Sequence, residues 1–359
     1  MSDLFAQTIH TIPYPIFKNI MELAVIGYPS KLGGADTELD HQMRIWTRMG
    51  IHVHVIHTGD LDDNLRAMRL EDRPGVTVHA PRDWKAARGM PAIAYCNGEF
   101  LKCLPEIRLY ATRIWWVNCM CWLFPAEKEA HAAGLIDTFI YQTKRVLNHV
   151  SPILKGINKV FRGRVVRPHF DYSEFRFDPD KPNDKFRFCK ISREDVGKYH
   201  PQTMWVYNTM VAPVLKEGHI LGWDPERMPD AAGGSVPDWI TAERAGARSV
   251  HEVYAKSHAL IHMARPDQTE NLPRVGFEAM ATGTILICDK RGGWTDQIVD
   301  GKTGWLCDSN REFVYKASRC AFDQNERRQM AEDARARLET FWGANAAQNS
   351  WDEFFSSEP

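Results

Sequence analysis

The chain predicts an α/β protein of two halves, each built on a parallel sheet, facing one another across a deep cleft. Three observations carry that expectation. Strand, glycine-bearing loop, helix and strand follow in order between Glu22 and Ile56, a βαβ unit whose crossover implies parallel pairing. Short apolar runs separated by helical or loop segments then recur along the chain. The rhythm breaks around residues 172–187, where YSEFRFDPDKPNDKFRF is charged, proline-bearing and aperiodic, and restarts beyond it. A length of 359 residues fits about two domains of roughly 150 residues each.

In order, ELAVI (Glu22 to Ile26) is a short apolar strand, followed by the turn-rich GYPSKLGGAD. From Asp36 a helix follows, with Leu39, Met43 and Trp46 at spacings of four and three on one face. Arg48 falls in its last turn, and Gly50 is placed to end it. IHVHVI (Ile51 to Ile56), PAIAYC (Pro91 to Cys96), IWWVNC (Ile114 to Cys119), DTFIYQ (Asp137 to Gln142) and GRVVRP (Gly163 to Pro168) read as further strands. DLDD (Asp60 to Asp63) reads as a helix cap. Beyond the break, FRFCKI (Phe186 to Ile191), GHILGW (Gly218 to Trp223), HALIHM (His258 to Met263) and TILICD (Thr284 to Asp289) are strands. RMPDAAGGSVPDW (Arg227 to Trp239) reads as an irregular loop, and Gln324 to Glu339 is helical in composition. SWDEFF (Ser350 to Phe355) is amphipathic and needs a surface to pack on.

Lys+Arg is 45 and Asp+Glu is 46, so no global basic field argues for nucleic acid or an anionic membrane. The N-terminal MSDLFAQTIHTIPYPIF lacks a basic region followed by an apolar run, so no secretory leader is expected. The longest apolar run, Ile114 to Phe124, is short of the roughly 20 residues a membrane span requires. It reads as a buried strand, with peripheral membrane contact through its tryptophans as the weaker alternative. The eight cysteines include no CxxC pair, so reduced, mostly buried thiols in a cytoplasmic protein are expected. His251 and Glu252 complete no HExxH helix, and no required metal is expected.

The candidate site residues all follow strands, at the carboxyl edge where open α/β sheets bind ligands. Gly33-Gly34 precede a helix and can leave amides free for phosphate, or make a tight turn. Arg193 and Lys198 stand five apart after the strand FRFCKI. They can clamp a diphosphate, a fork and a point charge, or form a solvated loop. Glu270 and Glu278 flank a turn into a helix starting near Val275. One carboxylate can take the vicinal hydroxyls of a ribose and the other the far end of the same nucleotide sugar, with the helix N-terminus beside the diphosphate. A surface acid and a helix acid account for the same spacing. Gly292-Gly293 either lines that cleft or turns the chain.

The E-x7-E pair of Glu270 and Glu278, ending in EAMATG and followed by ILICDKRGGWTDQIVDGKTGWL, strongly resembles the retaining GT-B glycosyltransferases of family 4. Arg193 and Lys198 stand where that family has an arginine and lysine five apart, and Gly33-Gly34 where it has its N-terminal glycine loop. RPHFDYSEF (Arg167 to Phe175) resembles the segment closing its first domain, one residue shorter than usual.

The resemblance implies two Rossmann-like domains. The first, on the acceptor side, would span 1–171 plus a crossing C-terminal helix in 341–359, and the nucleotide-sugar domain 172–340. It implies sugar transfer with retention from a nucleotide sugar, UDP-glucose or another UDP-sugar favoured, with no cofactor or metal required. Glu270 would contact the donor sugar, Glu278 the ribose, and Arg193 and Lys198 the leaving diphosphate. Asn271, Leu272, Arg274 and Val275 would complete the donor site. Asn271-Leu272-Pro273-Arg274 replaces a Gly-Phe-Gly type turn, so Pro273 removes an N–H. Arg274 either adds a cation beside the diphosphate or points to solvent. Asn118 stands where a histidine is expected, and with His169 is the candidate acceptor or sugar contact.

The acceptor stays open: a glycan, a lipid-linked sugar, a metabolite, a protein or a hydroxylated base in DNA. KGINKVFRGRVVR (Lys155 to Arg167) either lines a groove for a polyanion or is a solvated face. A GT-B nucleotide-sugar epimerase and a non-catalytic sugar-nucleotide sensor are the competing readings.

Overall fold

Thirteen strands divide between two wholly parallel sheets in a computed structural model that describes residues 22–30 and 34–358. The first contains β1 (Glu22–Ile26), β2 (His52–Ile56), β3 (Val76–Val78), β4 (Ala92–Tyr95), β5 (Ile114–Asn118), β6 (Thr138–Tyr141) and β7 (Gly163–Val165), in the order β3-β2-β1-β4-β5-β6-β7. The second contains β8 (Lys185–Ile191), β9 (Leu215–Leu221), β10 (Ile240–Glu243), β11 (Ala259–His262), β12 (Ile285–Asp289) and β13 (Trp305–Cys307), ordered β10-β9-β8-β11-β12-β13. Helices cover both faces, and four apolar clusters fill the layers, two in each half.

Every strand read from the sequence is present. The three that the sequence reading passed over, β3, β10 and β13, are all sheet edges of three or four residues. A strand paired on one side needs neither a long apolar run nor strict alternation, so it leaves little local signal. The expected irregular loop Arg227–Trp239 is corrected in part. It holds a five-residue helix, Met228–Ala232, with proline in its first turn, closed by Gly233 and Gly234 at φ 78 and 145.

The chain leaves the first half after β7 through residues 166–184 and returns once. The helix Gln324–Trp342 packs in the second half through Met330, Ala331 and Leu338. Gly343 then turns the chain; a Cβ there would lie 2.4 Å from the Glu339 carbonyl oxygen. The final helix Ala344–Ser357 lays Trp351, Phe354 and Phe355 into the core of the first half. Trp351 meets Trp46 edge-on at 5.1 Å between centroids, and Phe354 meets Trp115 at 5.0 Å. The amphipathic tail thus buries its aromatic stripe against the other half, which binds the two together. All eight cysteines are free thiols.

Candidate functional site

The carboxyl ends of both sheets meet at the cleft. On the second-half side, the chain leaves β8 into a short turn, Val196–Lys198, whose start Asp195 caps by accepting from the Gly197 amide at 2.8 Å. That turn aims Lys198 at Glu270, with Nζ 2.5 Å from Oε1. His262, the last residue of β11, brings its Nε2 to 3.5 Å from the same oxygen. Burial raises the Glu270 pKa, but the His262 contact and the Lys198 charge outweigh it and hold the carboxyl well below the usual range. Burial drives His262 itself down to about 4, so a neutral ring meets a carboxylate. Arg193 is exposed at the strand exit and, among the described residues, makes no ion pair.

The glycine pair after β12 explains how the Glu270 loop is held. Gly292 has φ 57, and the Gly293 amide donates to the Glu270 carbonyl at 2.8 Å. A Cβ on Gly293 would lie 1.5 Å from the Asn271 carbonyl oxygen, and one on Gly292 2.5 Å from that of Glu270. The pair therefore allows two backbones to touch behind the carboxylate.

The helix Arg274–Thr282 starts four residues beyond Glu270, with Pro273 at its N-cap and no side-chain cap. Of its first-turn amides, that of Gly276 donates to the Pro273 carbonyl at 3.0 Å, and the helix start carries the positive end of the dipole. Glu278 lies on its second turn, and its Oε2 is buried without a partner. Burial pushes the Glu278 pKa up, only partly offset by the Arg274 charge and the Tyr254 hydroxyl. Leu272 is packed in the core beside Phe277 and Trp294, and Val275 is half-buried with its carbonyl accepting from the Tyr254 hydroxyl at 2.9 Å.

The loop Glu270–Arg274 is also bonded to the first half. Asn271 Nδ2 donates to the Cys119 carbonyl at 3.0 Å and to Gln142 Oε1 at 2.8 Å, while its own Oδ1 is unpartnered. Gln142 in turn donates to Glu38. Arg274 does not point to solvent: it is buried, with Nη2 donating to His41 Nδ1 at 2.7 Å and the guanidinium 4.9 Å from the Phe170 ring centroid. Its Nε is unpartnered. Burial raises Glu38 to about 7 against the pull of Arg274 and Gln142. Arg145 adds a bridge, with Nε 3.0 Å from Asp296 Oδ2 and Nη2 3.0 Å from the Asn271 carbonyl.

Of the glycine loop, Gly33 lies outside the described residues. Gly34 begins the helix Gly34–Arg48, and a Cβ there would sit 3.8 Å from Arg274 Cγ. Asn118 is wholly buried at the end of β5; Nδ2 donates to the Trp122 carbonyl and to Glu127, each at 2.9 Å, and Oδ1 accepts from the Met120 amide. Its amide organises the loop after β5. His169 is buried beside His41, with Nδ1 3.3 Å from the Trp342 carbonyl oxygen, and burial lowers its pKa to about 4. Among the described residues no three His, Cys, Asp or Glu side chains group for a metal ion.

Sequence reasoning missed His262, Glu38, His41, Gln142 and Arg145. A histidine closing a strand at the ligand edge was a readable sign for His262. Glu38 and His41 flank the apolar stripe of their helix, and nothing local marks them as buried against the other half.

With this geometry in view, the likenesses to known proteins fall on the same half and the same fold. Residues 243–337 match the family Glycosyl transferases group 1, a stretch that contains Glu270, Glu278 and the glycine pair. A D-inositol 3-phosphate glycosyltransferase of Corynebacterium glutamicum is 35% identical over 106 residues, 29% of this chain and 25% of that protein. The aligned stretch thus spans a quarter of that relative's length. HepE of Anabaena, solved with UDP and glucose, superposes with a TM-score of 0.71 at 14% identity, covering 94% of this chain and 100% of that one. Sucrose-phosphate synthase of Thermosynechococcus elongatus gives a TM-score of 0.71 at 14% identity, covering 94% and 98%. The fold is GT-B, as the two facing parallel sheets and the returning final helix require.

Proposed function

We propose that this chain is a retaining glycosyltransferase that moves a sugar from a nucleotide sugar, a UDP-sugar by preference, to an acceptor hydroxyl. The observation that carries the reading is the set of groups around the N-terminus of the helix Arg274–Thr282. A carboxylate clamped by Lys198 stands on one side, and a buried carboxyl with an unpartnered oxygen stands one turn in. The free Glu278 oxygen would accept from the ribose hydroxyls. Lys198, Arg193 and the helix amides, together with Gly33 and Gly34, would take the diphosphate. Glu270 would hold the donor sugar, and Asn271, Leu272, Arg274 and Val275 would shape the loop around it.

In the transfer, the bond between the anomeric carbon and the diphosphate oxygen breaks, and the acceptor oxygen bonds to that carbon from the same face. The acceptor proton passes to the departing diphosphate. Positive charge where the leaving group develops its own charge lowers the barrier, so Arg193 and Lys198 supply what a metal supplies in other designs. UDP bound in the HepE structure and the inositol phosphate in the name of the curated relative support a nucleotide-sugar donor and a hydroxyl acceptor. The first half, with Asn118 and His169 near the seam, would select the acceptor.

The test is release of UDP from a panel of UDP-sugars, with the anomeric configuration of the product read by NMR. Turnover that disappears in Glu270→Ala and gives a product of the donor's configuration is expected. Conversion of the donor to an epimer without acceptor, or an inverted product, overturns the reading.

A further inference from the structure

The chain balances its charge as a whole, yet between Asp137 and Asp171 it contains no carboxylate. Those 33 intervening residues carry seven lysines and arginines. The helix Lys144–Ile157 occupies the start of this segment and buries Val146, Val150 and Leu154 against the first sheet. Its outer side carries Ile153 and Ile157, 44% and 38% exposed, and three residues further Val160 is 85% exposed. Ile153 and Ile157, four apart, share one face of the helix, and Val160 follows beyond its extended C-cap at Asn158. Lys155 and Lys159 flank these side chains, both exposed and, among the described residues, free of ion pairs. Among the described residues, Arg162 and Arg164 approach a carboxylate only at Glu358, at 3.7 and 4.0 Å.

We propose that this face docks on an anionic lipid surface. A basic element with an aliphatic stripe is the composition that lies in a membrane interface, aliphatic groups among the acyl chains and cations on the lipid phosphates. Duplex nucleic acid takes up the cations but offers exposed isoleucine and valine nothing in exchange, because its contacts are with phosphate and sugar. No helix among the described residues is long and apolar enough to cross a membrane, so the contact is peripheral. The geometry also orients the cleft. The helix is about 21 Å long for its 14 residues. Its N-terminal Arg145 reaches Asp296 and Asn271 at the cleft, while the aliphatic stripe lies at the other end. The cleft and the aliphatic stripe therefore lie toward opposite ends of this helix. This surface is separate from the donor groups and stands whether or not the transferase reading does.

The full chain is to be sedimented with phosphatidylcholine vesicles and with vesicles containing phosphatidylglycerol, at low and high salt. Partition to the anionic vesicles alone, weakened by salt, is expected. The charge-reversed pair Lys155→Glu and Lys159→Glu lowers it by at least fivefold for each lysine. The triple change Ile153→Ser, Ile157→Ser and Val160→Ser lowers it more than tenfold. All five positions are exposed, so the melting temperature stays near that of the wild type. Failure to sediment with anionic vesicles overturns the proposal. So does binding indifferent to the serine changes and displaced by duplex DNA, which assigns the face to a polyanion instead.

Discussion

Replacing Glu278 with glutamine is expected to change stability and affinity in opposite directions. In the free protein the Glu278 carboxyl is buried, and its Oε2 has no partner. Burial raises its pKa above the ordinary 4.5. An acid raised on folding contributes stability that is fully present below its unfolded pKa and is lost as pH rises through the folded one. At neutral pH and above, the folded protein therefore carries a penalty that the isosteric amide lacks. Glu278→Gln should melt higher than the wild type at pH 8, with the gain vanishing below about pH 4.5, where both forms are neutral. Donor binding should move the other way. A hydrogen bond to a charged group contributes about 1.5–3 kcal/mol against about 1 kcal/mol for a neutral acceptor, so with the amide UDP should bind roughly 2- to 30-fold more weakly. Melting curves at pH 5 and pH 8, with and without UDP, and calorimetric titration of UDP read both effects. A variant that is less stable at pH 8 while binding UDP as the wild type does would refute the assignment of Glu278 as the ribose carboxylate.

Three further outcomes follow from the geometry. Glu38, buried and raised to about 7, should make Glu38→Gln gain stability relative to the wild type as pH rises from 5 to 8, by about 2.5 kcal/mol, read as the pH dependence of the difference in unfolding free energy. Gly293→Ala must push the Asn271 carbonyl away from a Cβ 1.5 Å distant. It should destabilise the chain by about 1–3 kcal/mol and remove UDP release, whereas Gly301→Ala, with open space around it but φ 75, should cost less and leave turnover intact. Trp351→Ala removes the ring that meets Trp46 and Phe355. A loss of about 3–5 kcal/mol in urea unfolding, with proteolysis beginning in the final helix, is expected.

Much of the placement of the candidate site was legible because its residues sit where local rules put them. Lys198 and Glu270 each follow a recognisable strand, and Glu278 lies inside a recognisable helix, so their convergence at one sheet edge follows from the fold class alone. The glycine pair was legible as a turn. Its close contact with the backbone of Glu270 and Asn271 was not, because spacing does not reveal which chain a glycine will touch. Asn271 and Arg274 read as donor groups, yet their side chains mostly meet Gln142, Cys119 and His41 of the other half. A buried polar group must find partners, and these came from more than a hundred residues away.

The amino-acid sequence alone determined the alternation of strand and helix, the division into two α/β halves, and the aromatic stripe that the last helix had to bury. Each is written in the local period of apolar side chains, which decides burial one element at a time. Tertiary structure decided the edge strands β3, β10 and β13, and it set the polar seam that runs from Glu38 through Gln142 to Asn271 beside Arg274 and His41. Edge strands draw on one neighbour only, and seam residues draw on the opposite half. Their environment exists only after the two sheets have been brought together, so no local period encodes it.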